Sequence, residues 1–336
     1  MIEVINGGLF TTVQDSGRWG YQAYGMPVAG VMDRYAYQMA NLLVDNLDGE
    51  AVLEMTLQGG TYRFHTAVWI ALCGAEMAAT LDGAPVANWS SLVAPAGSEL
   101  ALGFATAGCR GYLALRGGLD VPQVLGSRST YTRGSVGGID GKALTLGCRL
   151  QAGAPEQNGQ RRLLPRILVP AFSEDIELRV LPGPQDDLFT ANGLHTLFSS
   201  SYTVSADADR MGYRLEGPAV EHAGKPDIIS DALCQGAIQI PGHGMPIIML
   251  ADRQTTGGYP KIGTVIGSDL RRLAQAKPGD RIRFSRCTDP DAVAALQEEE
   301  SCYQAALDAF RSKPAGRRWV VRVNGRTMPI QFEERL

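Results

Sequence analysis

Residues 252–261 read Asp252-Arg253-Gln254-Thr255-Thr256-Gly257-Gly258-Tyr259-Pro260-Lys261, a dense run of groups able to do chemistry. A guanidinium, an amide and two hydroxyls precede two glycines, whose backbone N–H groups can form an anion-binding nest because no side chain blocks a ligand's approach. Lys261 adds a second cation. That set suits stabilisation of developing negative charge, with Asp252 and Asp15 available as proton acceptors or as orienting groups. Gln14, Gln239 and Gln254 each offer a donor and an acceptor, the complement of an HN–C=O edge. We take Asp252, Arg253 and Lys261 as candidate catalytic residues. Gln14, Asp15, Arg18, Arg210, Gln239, Gln254, Thr255, Thr256, Gly257, Gly258 and Tyr259 are candidate substrate contacts, and no metal ligand is assigned.

Plainer roles stand beside these. A Gly-Gly-Tyr-Pro segment also makes a turn between strands. Asp15 with Arg18 also reads as an ion pair bracing a loop, and Arg210 as a structural partner of Glu54 or Asp209. Lys261 alone reads as a solvated lysine. Asp33 and Asn41 read as a helix cap and a buried hydrogen-bonding side chain, and His243 as an exposed loop histidine without a task.

The elements that must position these groups are mostly strands. An apolar segment at 246–251 delivers the loop, and further short β-rich runs lie at 62–72, 111–115, 176–181, 238–240 and 247–250, set among 40 glycines. Short strands punctuated by Gly and Pro indicate a barrel or sandwich. Helices are expected at four places: from the cap Asp33 through Met39, Ala40, Leu43 and Val44; over 186–198; over 268–275; and, longest, over 290–312, where Pro290 suits a first turn. Segments 111–150 and 245–284 both run from an apolar strand through a Gly/Thr-rich loop to a strand entry, which suggests two related β-domains joined near the polar stretch 153–162. The expected division is 1–160 and 161–336.

Composition narrows the function classes. The 31 basic and 35 acidic residues leave a formal charge of -4 and no basic block, so neither nucleic acid nor an anionic membrane is expected as a partner. The first residues, MIEVINGGLF, lack an apolar signal core, and the apolar run 67–75 is too short to span a bilayer. Six scattered cysteines without a CxxC pair suit reduced thiols, and a cytoplasmic location is expected. Residues 258–264 carry the glycines of a phosphate loop but not its lysine, and GxGxxG after a strand, HExxH and GxSxG are all missing.

Four blocks carry a resemblance. They are Thr12-Val13-Gln14-Asp15-Ser16-Gly17-Arg18-Trp19-Gly20 with the following Gly25-Met26-Pro27-Val28-Ala29-Gly30; Gly111-Tyr112-Leu113-Ala114-Leu115-Arg116-Gly117-Gly118 with Leu125-Gly126-Ser127-Arg128-Ser129-Thr130; Asp209-Arg210-Met211-Gly212-Tyr213; and Gly236-Ala237-Ile238-Gln239-Ile240-Pro241 leading into 252–263. In this order and spacing, from about residue 5 to 284, the chain resembles the family of 5-oxoprolinase C subunits, also called KipA, biotin-dependent carboxyltransferase-like or allophanate hydrolase subunit 2. The resemblance implies a mainly β molecule of two cyclophilin-like β-barrel domains, with a few short helices and one longer C-terminal helix. It implies direct partnership with a KipI-like 5-oxoprolinase subunit, and functional partnership with a LamB/YcsF-like one.

Such a complex opens 5-oxoproline to glutamate with ATP hydrolysis. Coupling to ATP implies that the lactam oxygen is phosphorylated into a leaving group, which calls for donors around a charge-spreading phosphoryl group. ATP, with Mg2+, is therefore the implied cofactor, at a site the sequence does not locate. A second reading is a carboxyltransferase module of the urea carboxylase type, binding biotin or a urea derivative. It needs a biotin carboxylase and a carrier loop of the Ala/Val-Met-Lys-Met kind, and this chain contains neither. A third is a KipA-like regulatory protein that antagonises a kinase inhibitor.

Overall fold

The computed structural model describes residues 1–153, 159–311, 317–323 and 326–332. The polar stretch 153–162 thus falls partly outside the described residues, as does Ser312.

In the first half, period-two alternation sorts side chains onto two faces. One sheet orders the strands Phe10–Gln14, Val52–Thr56, Ala107–Leu115, Val68–Glu76 and Ser90–Ala94. Ile70, Leu72, Leu113 and Leu115 point to a core shared with Ile2, Val4, Tyr62, Phe64 and Leu100 of a second, seven-stranded sheet. The intervening Ala71, Cys73, Tyr112 and Ala114 point the other way, onto helix α1, Arg34–Leu43. This double burial explains why 67–75 reads as an unbroken apolar run. Small residues meet across that contact, Ala36 and Ala40 against Ala71 and Ala114, so the helix lies close to the sheet. Burial of Met39 and Leu43 contributes roughly 1.5–3 kcal/mol each.

Asp33 starts α1 by accepting from the Ala36 N–H at 3.0 Å, as its type predicts. Asp45, at φ 57°, is left-handed just beyond the helix end. Asn41 is buried, donating to the Glu50 carbonyl and accepting from Asn46. The run 62–72 is not one strand. It breaks at His65-Thr66-Ala67, because Thr61–Phe64 pairs with Ile2–Asn6 and Glu99–Ala101 whereas Val68–Glu76 pairs in the other sheet.

The second half closes as a barrel in the order Asp175–Pro182, Lys261–Val265, Ala237–Gln239, Ile247–Met249, Gly212–Glu216, Ser201–Val204 and Arg281–Arg286. Along Asp175–Pro182, Ile176, Leu178 and Val180 turn inward and their neighbours outward. The helix expected over 186–198 is divided. A single 3-10 turn, Asp186–Leu188, stops at extended Phe189, and α2, Ala191–Ser199, starts anew because Thr190 caps it through the Gly193 N–H. The helix expected over 268–275 is the short α3, Leu270–Ala274. The longest helix, α4, Asp289–Arg311, returns to the first half, where Ala306 is buried beside α1 and Tyr303 and Phe310 pack partly buried. The molecule is thus mainly β, with one long helix near its C-terminal end; the first half surrounds its core with two sheets and the second with one closed ladder.

Candidate functional site

The antiparallel pairing of Gly212–Glu216 with Ile247–Met249 brings Arg210 and Asp252 side by side. Arg210 donates through Nε and Nη2 to both oxygens of Asp252, at 3.0 and 2.9 Å, through Nη1 to Glu54 and through Nη2 to the Gly30 carbonyl at 2.6 Å. Burial opposes the guanidinium charge, but Asp252 and Glu54 more than offset it and its pKa is pushed up. Glu54 also accepts from the Met32 N–H at 2.7 Å and the Tyr112 hydroxyl at 2.9 Å. Asp252 is therefore held in a structural pair rather than free as a proton acceptor. The plain reading of Arg210 with Glu54 holds; Asp209 instead accepts from the Met211 and Gly212 N–H groups and pairs with Arg133.

Asp15 and Arg18 make no ion pair. The Asp15 carboxylate accepts from the Gly17 N–H (2.9 Å), the Ser127 and Ser129 hydroxyls (2.6 and 2.5 Å) and the Arg128 N–H (2.6 Å). Those donors saturate it. Arg18, wholly buried, donates instead to the carbonyls of Val124 (2.8 Å) and Ser129 (2.9 Å), and burial pushes its pKa down despite Asp15 and Asp252. Gln14 is equally buried, its amide N–H2 given to Thr12 and to the Thr130 carbonyl.

The loop 252–261 divides by depth. Arg253 is 5% exposed and folds back onto the carbonyls of Leu233 and Leu250, each at 3.1 Å, and burial pushes its pKa down. Lys261 is 4% exposed, its ammonium on Asp231 and on the Ala232 carbonyl, and its own N–H on Gln185. Neither is the free surface cation expected from sequence, because the chain at 231–233 runs past the loop and supplies their acceptors. Thr256–Gly257 pairs there with Asp231–Ala232. At Gly257 a Cβ would come within 2.6 Å of the Gln239 amide nitrogen and 2.9 Å of a Leu233 methyl, so a larger residue there would have to shift both side-chain ends. Gln239 is buried and reaches the Tyr259 carbonyl at 3.3 Å. The accessible groups are Gln254, Thr256 and Tyr259, with Thr255, Gly257 and Gly258 half-buried behind them.

His243 is exposed, its Nδ1 accepting from the Met245 N–H at 3.0 Å. Residues missed by the sequence reading tie the halves together. Gln275 accepts at Oε1 from the Cys109 and Arg110 N–H groups, both at 2.9 Å, and donates at Nε2 to Asp33 at 2.8 Å and to the Arg110 carbonyl at 3.0 Å. Ser127 and Ser129 lie inside one of the four family blocks, so only their role was hidden. Among the described residues no group of three or more His, Cys, Asp or Glu gathers as a metal site, and no residue here is assigned to ATP or Mg2+.

The model of the carboxyltransferase domain, subdomain A and B, matches residues 24–286. The chain belongs to that family. As a member of the carboxyltransferase domain family, it is 37% identical over 309 residues to the C subunit of Escherichia coli 5-oxoprolinase, which covers 90% of this chain and 97% of that protein. It is also 36% identical over 328 residues to urea amidolyase of Saccharomyces cerevisiae, covering 92% of this chain but 18% of that protein. Among solved structures, the Kluyveromyces lactis urea carboxylase superposes with a TM-score of 0.86 at 33% identity, covering 92% of this chain and 29% of that one. Among the described residues no helix is long and apolar enough to cross a membrane.

Proposed function

We propose that this chain is the C subunit of an ATP-dependent 5-oxoprolinase, acting beside a KipI-like and a LamB/YcsF-like subunit to open 5-oxoproline to glutamate. The observation that carries this reading is coverage: the likeness to the Escherichia coli C subunit runs through 97% of that protein, whereas the likeness to urea amidolyase takes up 18% of a far longer one. We place the substrate edge at 254–259, where Gln254, Thr256 and Tyr259 are exposed. Asp252, Arg253, Lys261 and Gln239 act there as positioning residues, holding the loop from within. In this reading 1–160 and 161–336 are the two units, the complex is cytoplasmic, and the residues that take ATP belong to the assembled complex. The urea carboxylase likeness favours a second reading, a biotin- or urea-binding carboxyltransferase module. Reconstitution with the KipI-like and LamB/YcsF-like subunits separates them: 5-oxoproline-dependent ADP release with glutamate formation supports the first, and none of either, with biotin-dependent carboxyl transfer instead, overturns it.

A further inference from the structure

A cleft of about 370 Å³ lies where the segment joining the halves meets the barrel, lined by Phe172, Glu177, Arg271 and Arg272 among others. Several lining groups are already committed. Asp175 holds Arg281 through bonds of 2.6 and 2.7 Å, Asp33 caps α1 and accepts from Gln275, and the Gln275 amide is fully used. Two guanidiniums and one carboxylate remain. Among the described residues, Arg271, Arg272 and Glu177 make no salt bridge and no side-chain hydrogen bond. Arg271 is nonetheless held, with its guanidinium carbon 5.0 Å from the centre of the Tyr35 ring, a stacking contact that leaves its edge N–H donors unspent. Asp33 and Glu299 sense the Arg271 charge without bonding to it.

A concave site with a planar cationic fork, a separate carboxylate and an aromatic wall suits a small zwitterion that carries both a carboxylate and an ammonium. We propose that the cleft binds a free α-amino acid: Arg271 and Arg272 take its carboxylate, Glu177 its ammonium, and Phe172 with Pro170 its aliphatic carbons. The site rests on the cleft alone. The choice of glutamate as first probe rests on the proposed function, in which glutamate is the product.

The test is titration calorimetry of the purified chain with L-glutamate, L-alanine and 5-oxoproline, whose carboxylate is kept but whose nitrogen is an uncharged lactam. Saturable binding of either amino acid is expected, with 5-oxoproline weaker by about tenfold or more and with Glu177→Gln and Arg272→Ala each weakening the amino acid by about tenfold, as loss of one charge-assisted contact does. Both substituted side chains are exposed, so thermal melts of the variants should match the parent. No binding of either amino acid, equal binding of 5-oxoproline, or variants that bind like the parent would overturn the proposal. Turnover of the reconstituted complex is read separately. A chain that binds glutamate but supports no lactam opening sinks the functional reading alone, and the converse sinks only this one.

Discussion

Arg210 of the barrel donates to Glu54 of the opposite half, 156 positions away in the chain, and both side chains are buried. The contact matters for stability because loss of Arg210 would leave the Glu54 and Asp252 carboxylates buried without the cation they share. Arg210→Met keeps much of the volume but strands Glu54 and Asp252, and should lower unfolding free energy by about 3–5 kcal/mol. Urea denaturation would measure it; a loss below about 1 kcal/mol would show that water already relieves these carboxylates.

Arg253→Ala removes two buried donors, leaving the Leu233 carbonyl without its side-chain partner and the Leu250 carbonyl with only the residue 253 backbone N–H. It should cost about 1–3 kcal/mol in stability. Sequence alone suggests a surface arginine, replaceable without harm to the fold, so a variant as stable as the parent would restore that simpler picture.

Gln254→Ala and Thr256→Ala test the accessible edge of the loop. Both residues are exposed, so stability should change by less than about 0.5 kcal/mol. Turnover of the reconstituted complex should fall about tenfold or more for Gln254→Ala, on the scale of a lost preorganised donor. Unchanged turnover in both variants would move the substrate away from 254–259.

Asp231 supplies a pH prediction. The hydrogen bond from Lys261, followed by that from the Ala232 N–H, holds its carboxyl below the ordinary 3.8. A folded pKa below the unfolded one means that the contribution is present above about pH 3.8 and lost as pH falls through the folded value. Asp231→Asn should thus lower the urea midpoint at pH 7, and the gap to the parent should close under more acidic conditions. A gap independent of pH would mean that packing around Lys261, not charge, is what Asp231 supplies.

Asp15→Ala leaves two seryl hydroxyls and two backbone N–H groups without their acceptor. A loss of about 2–4 kcal/mol is expected, taking one to three for an unsatisfied buried group and some local relaxation. Asp15→Asn should recover part of it, since one oxygen remains to accept; equal losses in both would mean that these donors require the carboxylate's charge and not merely an acceptor.

Much of the fold was legible in the amino-acid order because it depends on neighbours. Asp33 caps a helix through a residue three places on, Ile176, Leu178 and Val180 alternate inward along one strand, and Pro290 falls in the first turn of the long helix. The glycine-bearing blocks likewise carry the family without any coordinates, since their order and spacing lie in the chain itself. Depth was not legible. Arg253 and Lys261 look like free cations beside glycines, yet they are buried because residues 231–233 cross beneath them with carbonyls and a carboxylate. Asp15 and Arg18 look like a pair, yet Ser127 and Ser129 claim the carboxylate from more than 110 positions away. Whether a polar side chain in a dense motif meets solvent or a partner is settled by segments distant in sequence, because only tertiary packing brings the competing donors and acceptors within hydrogen-bonding reach.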